Sequence, residues 1–185
     1  MKLLITCLFI FFLNNSVYSN VGSDTGFKLP RFVSIKSDDA NIRIGPSKNY
    51  PINIKLIHKN YPLKIIDEYL EWRQIIDFKS NTGWIHKSLI TGTRYGIIIN
   101  NFDEPIKIFN NSNGNIIGEI FSGNIVQLKK CKIEWCLISI NNKQGWISKN
   151  NIWGTEDKEV FNIGYMQILT DYYWKIISYL KTNYL

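Results

Sequence analysis

Few residues in this chain could do chemistry. Cys131 and His86 offer a thiol with a base, the pair a nucleophilic hydrolase needs. Cys136, however, stands five positions after Cys131 and favours pairing of the two sulfurs. No Gly-x-Ser-x-Gly, His-Glu-x-x-His or glycine-rich phosphate loop is present. Zinc would need more than Cys131, Cys136, His58 and His86 at these spacings, so neither a metal site nor a cofactor is expected. Binding is the better-supported chemistry. Tyr50, Tyr61, Trp72 and Trp84 in the first half, and Phe109, Trp135, Trp146 and Trp153 in the second, are flat rings suited to stacking. Asn41, Arg43 and Lys87 nearby could supply hydrogen bonds to carboxylates or amides. The same residues have a structural reading: Trp84 and Trp146 plugging a small core, Asn41 and Arg43 holding a turn.

The elements that must position these rings are short strands. Asn41-Ile42-Arg43-Ile44 alternates apolar and polar residues, and Gly45-Pro46-Ser47 cannot continue the strand. Tyr50-Pro51 follows, with the tyrosine held extended by the proline after it. Residues 31–36, 52–57, 62–69 and 72–78 are further strand candidates, with Leu70-Glu71 as a hairpin turn. Gly83-Trp84-Ile85-His86 and a short turn at 87–90 close the series. So many short strands in about 60 residues indicate a small all-β barrel.

The stretch Asn-x-Arg-x-Gly-Pro-Ser-x-x-Tyr at 41–50 resembles the opening motif of bacterial SH3-like domains, and the Trp72 hairpin followed by Gly83-Trp84-Ile85 resembles their close. The resemblance covers roughly residues 29–154 and implies small barrels outside the cytoplasmic membrane that bind cell-wall peptidoglycan. On that basis Tyr50, Trp72, Tyr61, Arg43, Asn41 and Trp84 are candidate ligand-binding residues, with Tyr50 foremost and Asn41 and Arg43 as its supports.

The pattern recurs. Residues 116–120, 123–128, 134–140 and 145–149 follow the same order, and Trp135 lies 63 residues after Trp72 while Trp146 lies 62 after Trp84. In the second copy Pro105-Ile106-Lys107-Ile108-Phe109 keeps the alternation without Gly-Pro-Ser, with Lys107 near the place of Arg43. The expectation is two SH3-like barrels in tandem, 30–93 and a degenerate 94–155, after a flexible lead-in at 20–29. Tandem organisation, and Cys-x4-Cys with a Trp before the second Cys, also resemble a subfamily of two-repeat exported proteins.

Met1-Lys2 and the apolar run at 3–13 form an export signal too short for a comfortable span, with cleavage expected after Ser19. The rival is retention as an N-terminal anchor. Removal of the signal takes Cys7 and leaves Cys131 and Cys136, an even pair in an oxidising compartment, for which a disulfide across a hairpin end is favoured over metal. The formal charge of +7 is spread without a Lys/Arg run, suiting contact with anionic polymers or lipid head groups. Nucleic acid is not an expected partner of an exported chain. Phe161, Tyr165, Ile168, Leu169, Tyr172, Ile176 and Tyr179 fall at helical spacing within 156–185, predicting an amphipathic helix that docks on the second barrel, lies on a membrane surface or forms a tail. A wall polymer or an envelope protein is thus the expected partner, bound by a non-catalytic module.

Overall fold

The computed structural model describes residues 21–100, 104–112 and 114–164, and beyond these residues 173, 176, 177 and 179–181. The signal segment lies outside the described residues. Among the described residues fourteen strands alternate with turns, and two 3-10 turns occupy Lys87–Leu89 and Lys149–Asn151. The first seven are β1 Arg31–Ile35, β2 Ala40–Arg43, β3 Ile52–Leu56, β4 Pro62–Tyr69, β5 Trp72–Ile76, β6 Thr82–His86 and β7 Ile90–Thr91. The second seven are β8 Tyr95–Ile98, β9 Ile106–Phe109, β10 Ile116–Ile120, β11 Ile125–Cys131, β12 Trp135–Ile140, β13 Lys143–Ser148 and β14 Ile152–Trp153.

They form two antiparallel sheets with one topology. The first runs β3-β2-β6-β5-β4-β1-β7 and the second β10-β9-β13-β12-β11-β8-β14, so every strand has a counterpart seven strands later. The registers make the equivalence residue-specific. Trp72 faces His86 as Trp135 faces Ser148, and Glu68 faces Arg73 as Cys131 faces Cys136. Arg43 pairs with Trp84, and Phe109 pairs with Trp146. Phe109, not Lys107, therefore stands at the Arg43 position, and Lys107 falls at that of Asn41. Sequence spacing misses this because the chain from β9 to β10 is two residues shorter than that from β2 to β3.

Alternation along each strand fills one core per sheet. Ile35, Ile42, Leu63, Ile65, Ile75 and Ile85 form the first, and Ile98, Val126, Leu128, Ile138 and Ile147 the second, all nearly inaccessible. In Gly-Trp-Ile it is the isoleucine that enters the core, while Trp84 and Trp146 lie half-buried on the opposite face. The glycine is required by a close strand crossing: a Cβ at Gly83 would come within 2.5 Å of the Ile42 side chain, and one at Gly145 within 2.3 Å of Ile108.

The sheets pack through aromatic and charged contacts. Trp153 meets Phe32 edge-on at 5.1 Å and Phe78 at 5.8 Å, Lys64 Nζ pairs with Glu156 at 2.8 Å, and Tyr95 N–H donates to the buried Ser34 hydroxyl at 3.2 Å. Trp153 thus joins the repeats rather than lining a groove of the second.

Residues 156–164 are not helical. Phe161 instead exchanges both main-chain hydrogen bonds with Cys131 and packs against the second core, and the buried Lys149 ammonium donates to the Asp157 and Glu159 carbonyls. Much of the remaining predicted helix lies outside the described residues. Tyr173, Ile176, Ile177, Tyr179, Leu180 and Lys181 have helical backbone. Among the described residues no helix is long and apolar enough to cross a membrane.

Candidate functional site

The opening motif closes on itself. Arg43 NH1 donates to the Tyr50 carbonyl at 2.6 Å, Tyr50 N–H to the Ser47 carbonyl at 3.2 Å, and Asn49 N–H to the Ser47 hydroxyl at 3.2 Å. Tyr50 lays its ring over Gly45, where an added Cβ would sit 2.7 Å from the ring atoms. Glycine, serine, arginine and tyrosine are thus all used to fix one loop between β2 and β3.

That loop forms one wall of a cleft. Its first lobe, about 330 Å³, is lined by Pro46, Ser47 and Lys48 from the loop, Leu70 and Glu71 from the β4–β5 turn, and Trp72 with His86. A second lobe of about 240 Å³ shares Lys48, Trp72 and His86 and adds Asn41, Arg43, Ser88 and Leu89. The floor is set by register. Trp72 and His86 are directly opposed on β5 and β6, on the face away from Ile75 and Ile85, and their rings meet edge-on at 5.3 Å. Ser88 N–H donates to His86 Nδ1, and the Ser88 hydroxyl lies 2.8 Å from the same nitrogen. An N–H is an obligate donor, so in the neutral ring Nδ1 accepts and Nε2 carries the hydrogen.

The opposite wall is braced from inside. Arg73 NH1 donates to the Leu70 and Trp72 carbonyls, each at 2.7 Å, fixing a turn in which Leu70 takes φ +49°. Arg73 is in turn held by Glu68, whose side chain is fully buried and also accepts from Arg31 NH2 at 2.6 Å, Thr25 Oγ1 at 2.8 Å, and the Thr25 and Asp24 N–H groups. Burial alone would raise the Glu68 pKa. Hydrogen bonds from Thr25 and Arg31, with the Arg31 charge, outweigh it and hold the group at about 2. At the mouth of the cleft Glu71 pairs with Lys87 at 2.8 Å, and that hydrogen bond lowers its pKa.

Of the residues singled out in the sequence, the structure brings Asn41, Arg43 and Trp72 together in this cleft. Tyr50 is 45% exposed and supports the loop without lining either lobe. Tyr61 packs against the first core, where burial, with the Asp77 charge, raises its pKa. Trp84 stands beside Arg43 on the outer face, also outside the cleft lining. Lys48, Glu71 and Ser88 were not anticipated, and His86, considered only as a base for Cys131 or a metal ligand, instead joins the floor of the cleft. The available signal was spacing: His86 follows Trp84 by two positions and so shares its face, and the β5–β6 hairpin, which opposes Ile76 to Thr82, brings Trp72 opposite the end of β6.

Cys131 and His86 do not form a pair. Cys131 is bonded to Cys136 with a Cα–Cα distance of 4.1 Å, both fully buried in the second core, as the hairpin reading required. His86 belongs to the first sheet. Among the described residues no group of three or more His, Cys, Asp or Glu side chains could hold a metal ion.

The bacterial SH3 domain family matches two segments of the sequence, residues 36–92 and 111–154, more than half of the chain. The chain belongs to this family. Each SH3 segment falls on one of the two sheets, which accounts for their shared strand order. No curated protein matches the chain. Similar solved structures include NlpC2 from Trichomonas vaginalis (12% identity, 68% of this chain and 48% of that one, TM-score 0.31). An NlpC/P60 family protein from Bacillus cereus ATCC 10987 is similar at 9% identity (76% and 61%, TM-score 0.30), and the endolysin LysPBC5 CBD at 16% (67% and 92%, TM-score 0.29). The chain spans about half the length of the two Trichomonas vaginalis proteins, NlpC1 and NlpC2, that it resembles.

Proposed function

We propose that this is an exported, non-catalytic envelope protein whose first SH3 barrel binds cell-wall peptidoglycan, or tethers a partner to it, through the Trp72–His86 cleft. The observation that carries the reading is the continuity of that cleft. Its aromatic floor, the apolar Pro46 and Leu70 walls, and the polar Asn41, Arg43, Lys48 and Glu71 rim offer both stacking and hydrogen-bonding surface to a peptide-bearing polymer. Family membership supports the ligand class, and a buried disulfide suits an oxidising compartment. The export signal at 1–19 remains part of the proposal, and intact mass of secreted protein starting at Asn20 is its expected signature.

Retention on purified sacculi tests the reading. His86→Ala and Trp72→Ala are expected to lower retention at least about tenfold, roughly the loss of one well-placed contact, while Phe109→Ala in the second barrel leaves it unchanged. Near-UV circular dichroism verifies that the variants are folded. Full retention by a folded His86→Ala protein excludes this cleft. Wild-type retention no better than a control protein of equal charge favours the second reading, a peptide-binding module for an envelope protein, which the apolar Pro46, Leu70 and Trp72 surface would also serve.

A further inference from the structure

We infer that the second lobe of the cleft is an anion subsite that takes a carboxylate of the bound peptide, with Arg43 and Lys48 as its cations. The inference rests on the cleft being the ligand site and names the ligand group recognised there. Two cationic side chains, the Asn41 amide and the His86 ring line this lobe, and no acidic side chain does. The only acid of the cleft, Glu71, lines the other lobe and is held by Lys87. Arg43 is fixed at one end: NH1 bonds the Tyr50 carbonyl, and a guanidinium has five N–H donors, so a planar fork remains for an incoming carboxylate. His86 turns Nδ1 to Ser88, which puts its hydrogen on Nε2 and makes the ring a further donor. The lobe is therefore rich in donors and positive, the requirements for an anion, and Trp72 beneath it can pack on the chain that carries the carboxylate.

The second barrel shows what removing the subsite looks like. Phe109 replaces Arg43 and packs edge-on against Trp135 at 5.4 Å, and Ser148 replaces His86. Lys107, at the Asn41 position, is opposed in register to Glu119. The subsite thus belongs to the first barrel alone.

The test titrates full-length protein with acetyl-alanyl-alanine as the free acid and as its C-terminal amide, following the amide resonances of Lys48 and Ser88 and the Arg43 Nε–H. The free acid is expected to bind at least about tenfold more tightly than the amide, and Lys48→Glu to weaken the acid about tenfold with little effect on the amide, as expected for a charge-assisted contact. Lys48 is exposed, so this variant keeps the fold if Arg43 substitutions disturb the loop. Equal affinity for acid and amide, no binding of either, or indifference to Lys48→Glu overturns the subsite. Sacculus retention read in parallel separates the two readings. Retention without acid preference leaves wall binding standing and removes the subsite, whereas acid preference without retention keeps the subsite and removes wall binding.

Discussion

The two sheets solve one packing problem in two ways. At the same cross-strand position the first holds a buried Glu68–Arg73 ion pair and the second a Cys131–Cys136 disulfide. Each is covered by an appended segment and flanked by an arginine, Arg31 at the start of β1 and Arg94 just before β8. Arg31 stacks over Phe27 of the lead-in and pairs with Glu68. Arg94 stacks over Phe161 of the following segment and pairs with Glu159, its NH2 lying 2.9 Å from Oε2. The stacked arginine and phenylalanine are common to both, but the carboxylate has moved from the sheet to the appended segment. With cysteines at the cross-strand site, the acid that Arg94 pairs with comes from the appended segment. A covalent link holds only its two strands, whereas the Glu68 carboxylate also gathers the lead-in and Arg73, and through Arg73 the cleft wall.

This difference predicts unequal sensitivity. Glu68→Leu leaves the Arg31 and Arg73 charges without their acid and is expected to cost about 3–5 kcal/mol in urea denaturation, and to loosen the 70–72 turn. Acid should act on the same place. Because Glu68 is held at about 2 against an ordinary 4.5, its contribution is present above pH 4.5 and is lost as the pH falls towards 2. The loss amounts to at most about 3 kcal/mol, and Glu68→Gln should flatten that part of the stability curve. Replacing both cysteines by alanine is expected to cost less than Glu68→Leu, about 2 kcal/mol for so short a loop. The reverse order would break the comparison. Trp153→Ala, which empties the junction between Phe32 and Phe78, is expected to cost about 2 kcal/mol for a half-buried ring and to split one calorimetric transition into two. Lys64→Ala removes an ion pair at the same junction and should cost no more than about 0.5 kcal/mol, with the melting temperature as readout.

The repeated strand order was legible in the sequence because its landmarks are rigid requirements. Glycine at 83 and 145 is demanded by a strand crossing and the isoleucine after each following tryptophan by a core, while Gly-Pro-Ser marks a turn in the first copy alone. The hairpin disulfide was legible from the cysteine spacing. Strand β8 was not, since Tyr95-Gly96-Ile97-Ile98 has no polar alternation to mark it. Trp84 and Trp146 were expected in the core as one of two readings, but the two-residue period of the strand sends them to the other face. The Glu68–Arg73 pair was hidden because it is recognisable as the counterpart of Cys131–Cys136 only through register. The cleft was half legible. Asn41, Arg43 and Trp72 carry the motif, whereas His86 and Glu71 gain their meaning from cross-strand neighbours that lie far along the chain.

The buried carboxylate also sets where this molecule can be cut. A fragment beginning at Pro30 would retain every strand of the first sheet yet lose the Asp24 and Thr25 donors, leaving Glu68 to hold two guanidinium groups alone. A piece that keeps these contacts on that side starts at Val21, where Val21 bridges Lys28, and the matching piece on the other side runs through Phe161, which bridges Cys131. The residues just outside each strand series are thus closing pieces of the fold, and a fragment that omits them loses the partners of Glu68 on one side and of Cys131 on the other, although they contribute no strand to either sheet.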